Sequence, residues 1–180
     1  MATILRPACI EDAETLAPFA RAAFDAKFGH LYDPEDLASF FAQARSIDAY
    51  RGEIARDNSR VMLAERDGAL LAYSVTHLGE GFAERPQPHP ARPATLSQLY
   101  CAADATGMGL GSRLLADAVT AAHEWGADAV QLSVFSENTG AQRFYQRHGF
   151  THVADIDFWV GKHRDDEWLF ELGLPGRNRG

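Results

Sequence analysis

The residues best suited to chemistry lie in the second half of the chain. Thr106-Gly107-Met108-Gly109-Leu110-Gly111-Ser112 places three glycines between an apolar run and a helical pattern. Glycines there let backbone approach a ligand closely, and the exposed N–H groups of a helix start favour an anion such as a pyrophosphate. A strand–helix turn that needs glycine only for tight packing has the same spacing. The loop departs from a dinucleotide fingerprint, because its pattern is GxGxG, with Ser112 where the third glycine belongs and Asp128 ahead of the next strand; a dinucleotide-binding oxidoreductase, which would bind NAD(P), stays a competing class. It is not a P-loop either, since no Gly-Lys-Ser/Thr follows. Tyr145 carries a phenol that stays protonated at neutral pH and can act as an acid. It also belongs to the stripe Ala141, Phe144, Tyr145, His148, whose i, i+3, i+4, i+7 spacing makes a core face. Asn138 stands where an N-cap belongs, ahead of a short helix. Candidate bases are His77, Glu80, Glu84, His89, Asp33 and Glu35, each also readable as a solvated surface residue. His30 and Tyr32 are candidates for an acceptor pocket or for a packed aromatic turn. Cys101 has no histidine near it in sequence to activate a thiol nucleophile.

Positioning these groups requires an α/β arrangement. Thr3–Pro7 reads as a strand, Ile10–Phe28 as an amphipathic helix, and Asp33-Pro34-Glu35 as the start of another, with Ile47–Arg56 a third. Val61–Glu65 and Leu70–Thr76 flank Asp67-Gly68 as a hairpin. Four prolines in Arg85–Pro93 make Gly79–Pro93 a loop, and loops of this length are usually functional or mobile. Thr95–Cys101 and Ala129–Phe135 read as strands around a helix within Thr106–Gly126. Asn138–His148 is a helix closed by Gly149, and Phe150–Asp155, Phe158–Val160 and Trp168–Leu172 complete the sheet. Pro175–Gly180 reads as a frayed tail.

Composition sets the outer bounds. The 180 residues suit a single domain spanning 1–180, with 46% hydrophobic and 23% charged residues. A net charge of −8 argues against a nucleic-acid surface and favours a cationic partner. No apolar run approaches the ~20 residues of a membrane span. No export signal opens the chain, and Cys9 and Cys101 form no disulfide framework, so the expectation is a cytoplasmic protein without a membrane partner.

Two segments together resemble a known family. Leu99-Tyr100-Cys101, five residues, then Gly107-Met108-Gly109-Leu110-Gly111-Ser112-Arg113-Leu114-Leu115 is similar to the acetyl-CoA motif of the GNAT N-acetyltransferases. Val134-Phe135-Ser136-Glu137-Asn138 through Ala141, Phe144-Tyr145 and Gly149-Phe150 resembles that family's second signature, E-N-x-x-A-x-x-F-Y-x-x-x-G-F. The match covers Ala94–Phe150. Phe28–Tyr32 and Phe158–Trp168 more faintly resemble the PaiA-type spermidine/spermine acetyltransferases.

The resemblance implies a mixed, mostly antiparallel sheet with a central splay and helices on both faces. It implies acetyl-CoA as co-substrate, no metal, and direct acetyl transfer to a primary amine: a polyamine or other small cationic amine, or alternatively a protein N-terminus or lysine. A non-catalytic acyl-CoA-binding regulator is the other class. By the same resemblance, Leu99, Tyr100 and Cys101 flank the pantetheine, with a backbone donor near Tyr100 or Cys101 for the oxyanion. Thr106, Gly107, Met108, Gly109, Leu110, Gly111 and Ser112 hold the pyrophosphate, Asn138 contacts the arm, and Tyr145 protonates the departing thiolate. Covalent transfer through Cys101 is not the family's route. Family members often pair as homodimers, and Trp159 and Trp168 are either available to such a contact or buried in the last strands. Two positions depart from the pattern. Thr106 replaces an Arg or Gln, and Thr95 stands where many members carry a glutamate base, leaving the base unassigned.

Overall fold

The computed structural model describes residues 2–175. Its centre is one seven-stranded sheet in the order β1-β2-β3-β4-β5-β7-β6. The strands are β1 (Ile4–Pro7), β2 (Ser59–Arg66), β3 (Ala69–Leu78), β4 (Pro93–Cys101), β5 (Ala129–Phe135), β6 (Thr151–Val160) and β7 (His163–Gly173). The helices are α1 (Ala13–Phe28), α2 (Pro34–Ala44), α3 (Ile47–Ala55), α4 (Leu110–Trp125) and α5 (Thr139–Arg147). Every strand pair is antiparallel except β4–β5.

Side chains alternate across the pleat and build one core on each face. Val61, Leu63, Tyr73 and Val75 pack on Ala13, Leu16, Ala17 and Ala20 of α1 and on Tyr50 of α3. On the other face Leu96, Val130, Leu132 and Val134 pack with Leu115, Ala118 and Ala122 of α4 and Tyr145 of α5. The expected mostly antiparallel sheet with helices on both faces is therefore observed.

Several local expectations are refined. The helix read over Ile10–Phe28 begins as a 3₁₀ turn at Ile10–Asp12. There the Asp12 carboxylate accepts from Cys9 N and from Arg6, which tightens the first turn. Asp33 precedes α2 with Pro34 at the first helical position, but its side chain makes no cap bond. Asp67 (φ 54°) and Gly68 (φ 78°) form the hairpin turn, both in the left-handed region that a two-residue hairpin needs. The segments expected at Phe150–Asp155 and Phe158–Val160 form one strand, β6, which starts one residue later at Thr151, because Asp155 and Asp157 are outward members of its alternation rather than a break. The proline-rich loop is tied down. Arg85 makes a two-pronged bond to Glu171 (3.0 and 2.8 Å), and Phe82 N donates to Gln131 Oε1 (2.9 Å). Beyond Pro175 the expected tail lies outside the described residues.

Candidate active site

The β4–β5 pairing fixes the site. Only Pro93, Ala94 and Thr95 pair with Ala129, Val130 and Gln131; beyond them the two strands part. A bulge in β4 assists the parting. Thr76 opposes Leu96 and Val75 opposes Gln98, so Ser97 is the extra residue between them. Such a bulge bends and twists a strand. Ser97 is accordingly exposed between the buried Leu96 and Gln98.

The gap opens into a cleft of about 570 Å³. Leu96 to Tyr100 line one wall and Leu132 to Phe135 the other, with Asn138, Ala141 and Tyr145 of the α5 region below. Phe24, Phe28, Phe40 and Phe158 form an aromatic wall on the α1–α2 side. The charged lining is mixed: Lys27, Arg45, Asp48, Glu53 and Glu167. Backbone that has left the β4–β5 ladder has N–H and C=O groups to offer an extended ligand, as a sheet edge does.

The glycine loop follows directly from β4. Gly107 (φ 83°) and Gly109 (φ 75°) occupy the left-handed region, and a Cβ at either would meet no atom within 4 Å. Their openness is thus a conformational requirement with free space beside it. Leu110 then starts the 16-residue α4, whose first-turn N–H groups suit an anion. Thr106 Oγ1 is turned inward onto Ala102 O (3.4 Å). Met108 is exposed, and Ser112 lies in the first turn of α4.

Asn138 caps a helix and lies at the cleft. Its Oδ1 accepts from Ala141 N at 3.2 Å, capping α5, while the residue also borders the cleft. The amide nitrogen is not used by the cap. Tyr145 is only 9% exposed and packs on Phe144 and Phe150, yet it reaches the cleft; burial raises its pKa, so the phenol holds its proton across the working pH range. Burial likewise raises the Cys101 thiol, which is the opposite of an activated nucleophile. Cys101 does not line the cleft.

The expected bases do not converge on the cleft. His77 is engaged by Glu53 (2.7 Å), and Glu80 by Arg56 and Asn58. Glu84, His89, Asp33 and Glu35 are exposed. Tyr32 stacks on Phe24 and donates to Asp165 Oδ2 (2.5 Å), so it belongs to a packed aromatic turn, and His30 is exposed beside it. Thr95 Oγ1 donates to Glu80 O (2.8 Å), which spends the hydroxyl on holding the loop.

The acidic run Asp165-Asp166-Glu167 lies in β7, and only Asp166 of the three faces outward. Asp165 is buried and Glu167 half-buried against the cleft. Gln98 was also not singled out; it lines the cleft and accepts at Oε1 from Tyr50 (2.8 Å) and Tyr73 (2.9 Å). Arg45 lies 5.1 Å over the Phe40 ring, with its buried Nε lacking a partner. No periodicity signals these two, since each sits in a helix end or strand whose polar residue turns inward.

The model of the acetyltransferase (GNAT) family matches residues 19–150. The chain belongs to that family. A GNAT relative from Lactobacillus delbrueckii subsp. lactis, an uncharacterized N-acetyltransferase in the pepI 3′ region, is 26% identical over 164 residues, 91% of this chain and 93% of its own. A mycothiol acetyltransferase of Parafrankia sp. is 34% identical over 124 residues, 62% of this chain but 38% of its own length, so the chain spans little more than a third of that relative. Among solved structures, the PaiA N-acetyltransferase of Thermoplasma acidophilum in complex with coenzyme A superposes with a TM-score of 0.77 at 23% identity, covering 97% of this chain and 100% of that one. A ribosomal-protein-alanine N-acetyltransferase from Brucella melitensis gives 0.66 at 20% identity, covering 95% and 99%. At these identities the structures establish a shared fold.

The GNAT chain is therefore an acetyl-CoA-dependent acetyltransferase. Its parted strands and open glycine loop fit an extended thioester arm ending in a pyrophosphate. Among the described residues, no group of three or more His, Cys, Asp or Glu side chains is placed to hold a metal ion, and no helix is long and apolar enough to cross a membrane.

Proposed function

We propose that the protein, acting as one domain, moves acetyl from acetyl-CoA directly to the primary amine of a small cationic molecule. The observation that carries this reading is the cleft itself. Its volume of about 570 Å³ lies in the range of small-molecule sites, and the aromatic wall of Phe24, Phe28, Phe40 and Phe158 encloses it on the acceptor side. Three carboxylates, Asp48, Glu53 and Glu167, line it against two basic side chains. One of those, Arg45, is buried over aromatic rings, so the accessible lining favours an ammonium.

In this reading the N–H groups of Gly107–Ser112 hold the pyrophosphate, Leu99 and Tyr100 flank the pantetheine with a backbone donor toward the carbonyl oxygen, and Asn138 steadies the arm. Oriented backbone donors cost no reorganisation when charge develops on the oxygen. Tyr145 gives its proton to the departing thiolate, which a protonated phenol at the cleft floor can do. Glu53 is engaged by His77 and Ser59, which leaves the exposed Asp48 of α3 to suit a second ammonium and favours a diamine or polyamine.

The test is steady-state release of free CoA thiol across spermidine, diaminobutane, propylamine, aminoglycosides and short peptides. Turnover concentrated on small di- and polyamines supports the reading. Turnover confined to peptide N-termini or lysines overturns it in favour of a protein acceptor.

A further inference from the structure

The base that sequence reasoning leaves unassigned has a candidate in β7. The register pairs Phe135 of β5 with Glu167, and directly opposed residues of an antiparallel pair share a face of the sheet. Phe135 meets Phe28 of α1 at 6.2 Å between ring centroids, so this is the α1–α2 face. Leu132 and Val134 point the other way, into the cluster that contains Tyr145. Glu167 and Tyr145 therefore border the same gap from opposite faces of the sheet.

We propose that Glu167 is the general base of this acetyltransferase, taking the proton from the acceptor ammonium on the face opposite Tyr145. The proposal rests on the amine reading above.

Three observations carry it. First, one carboxylate oxygen of Glu167 is buried with no hydrogen-bond partner, an arrangement that a native structure keeps only for a reason. Second, the competing inward acid is occupied: Asp165 accepts from Tyr32 (2.5 Å) and lies 3.2 Å from His163 Nε2. Glu167 forms no ion pair among the described residues. Third, its surroundings tune it. Burial pushes its pKa up to about 7, Asp165 on the same strand pushes the same way, and the hydrogen-bonded Ser133 hydroxyl of β5 opposes them. The other titratable groups facing it are the phenols of Tyr32, in the turn before α2, and Tyr100 of β4, both themselves raised and neutral. From β6 the register places apolar Ile156 opposite it. A carboxyl poised near neutrality is a competent proton acceptor at working pH.

The proton count closes. Glu167 carboxylate accepts one proton from R–NH₃⁺, directly or through one water, and becomes the acid. The freed amine forms the C–N bond to the acetyl carbon. As the C–S bond breaks, Tyr145 protonates the thiolate, and the excess proton on the new amide nitrogen restores the phenol. Glu167 then releases its proton to solvent. The net reaction is ammonium plus thioester giving amide, thiol and H⁺.

The experiment compares wild type, Glu167→Gln and Glu167→Asp on propylamine, diaminobutane, spermidine and 2,2,2-trifluoroethylamine, with acetyl-CoA affinity by calorimetry as the folding control. Wild-type kcat/KM should fall as pH drops below about 7. In E167Q, kcat/KM for the strongly basic amines should fall by roughly 10²–10⁴-fold and lose that limb. Acetylation of trifluoroethylamine, which is largely neutral in solution, should fall far less, acetyl-CoA binding should be unchanged, and E167D should recover part of the rate. Equal losses on all amines with the limb retained, or no loss at all, would overturn the base role while leaving amine acetylation standing. A wild type that acetylates none of the amines would overturn both.

Discussion

Glu167 also makes a claim on stability that needs no substrate. Its carboxyl has an ordinary value of 4.5 when the chain is unfolded and about 7 in the folded protein. Between those values Glu167 in the folded state binds more protons, so its own contribution to folding stability falls as pH rises from below 4.5 to above 7. Replacing Glu167 by Gln removes the titration while keeping shape and hydrogen-bonding capacity. A gap of 2.5 pH units at ~1.36 kcal/mol each gives about 3 kcal/mol. The mutant should match wild type near pH 4 and exceed it by about 3 kcal/mol near pH 8. At this chain length that is a rise in Tm of roughly 6–12 °C. Urea unfolding at pH 4, 5, 6, 7 and 8 measures it, and the mutant's advantage should grow across the interval. An advantage that is constant with pH, or that shrinks as pH rises, would refute the burial argument. A gain in stability coupled to a loss of turnover is the expected signature of an acid held in an unfavourable setting for its chemistry.

Other expectations follow from the same geometry. Tyr145→Phe should keep acetyl-CoA affinity and lower kcat by ~10²–10⁴-fold, read by thiol release; unchanged turnover would remove the phenol from the reaction. Asn138→Asp retains a cap for α5, whereas Asn138→Ala should cost about 1 kcal/mol of stability. If the Asn138 amide holds the pantetheine, both should weaken acetyl-CoA binding, whereas a purely structural cap predicts that Asp binds as wild type does. Gly109→Ala forces a side chain into φ 75°. It should destabilise by about 1 kcal/mol and raise the KM for acetyl-CoA more than it lowers kcat. Cys101→Ala should leave kcat within about threefold, since a thiol whose pKa is raised by burial is not a nucleophile.

Much of the fold was legible because local signals and tertiary placement agree. The Asp67-Gly68 turn, the Pro34 helix start and the Gly149 helix end each have one strongly preferred backbone solution. The glycine loop lies between β4 and α4, and the stripe lies along α5, as the strand and helix patterns indicate. What the sequence did not disclose are polar residues whose meaning comes from across the sheet. Glu167 follows two aspartates in a charged run; it becomes interior only because β7 pairs with both β5 and β6. Gln98 looks like a surface position in a strand, yet two tyrosines from α3 and β3 converge on its oxygen. The Ser97 bulge exists only in the pairing of β4 with β3. The proline content correctly excluded regular structure over 85–92, whereas Pro93 opens β4; it did not disclose the anchorage, which comes from the distant Glu171.

The three-residue junction of β4 with β5 has a mechanical consequence. Among the described residues it is the sole ladder between the half of the sheet containing β1–β4 and the half containing β5–β7, and the Arg85–Glu171 and Phe82–Gln131 bonds brace it from outside. The two halves thus meet like a book bound along a short stretch of spine. A coenzyme bridging the open margin would act as a clasp as well as a reactant, holding the β4 wall against the half that carries both Tyr145 and Glu167.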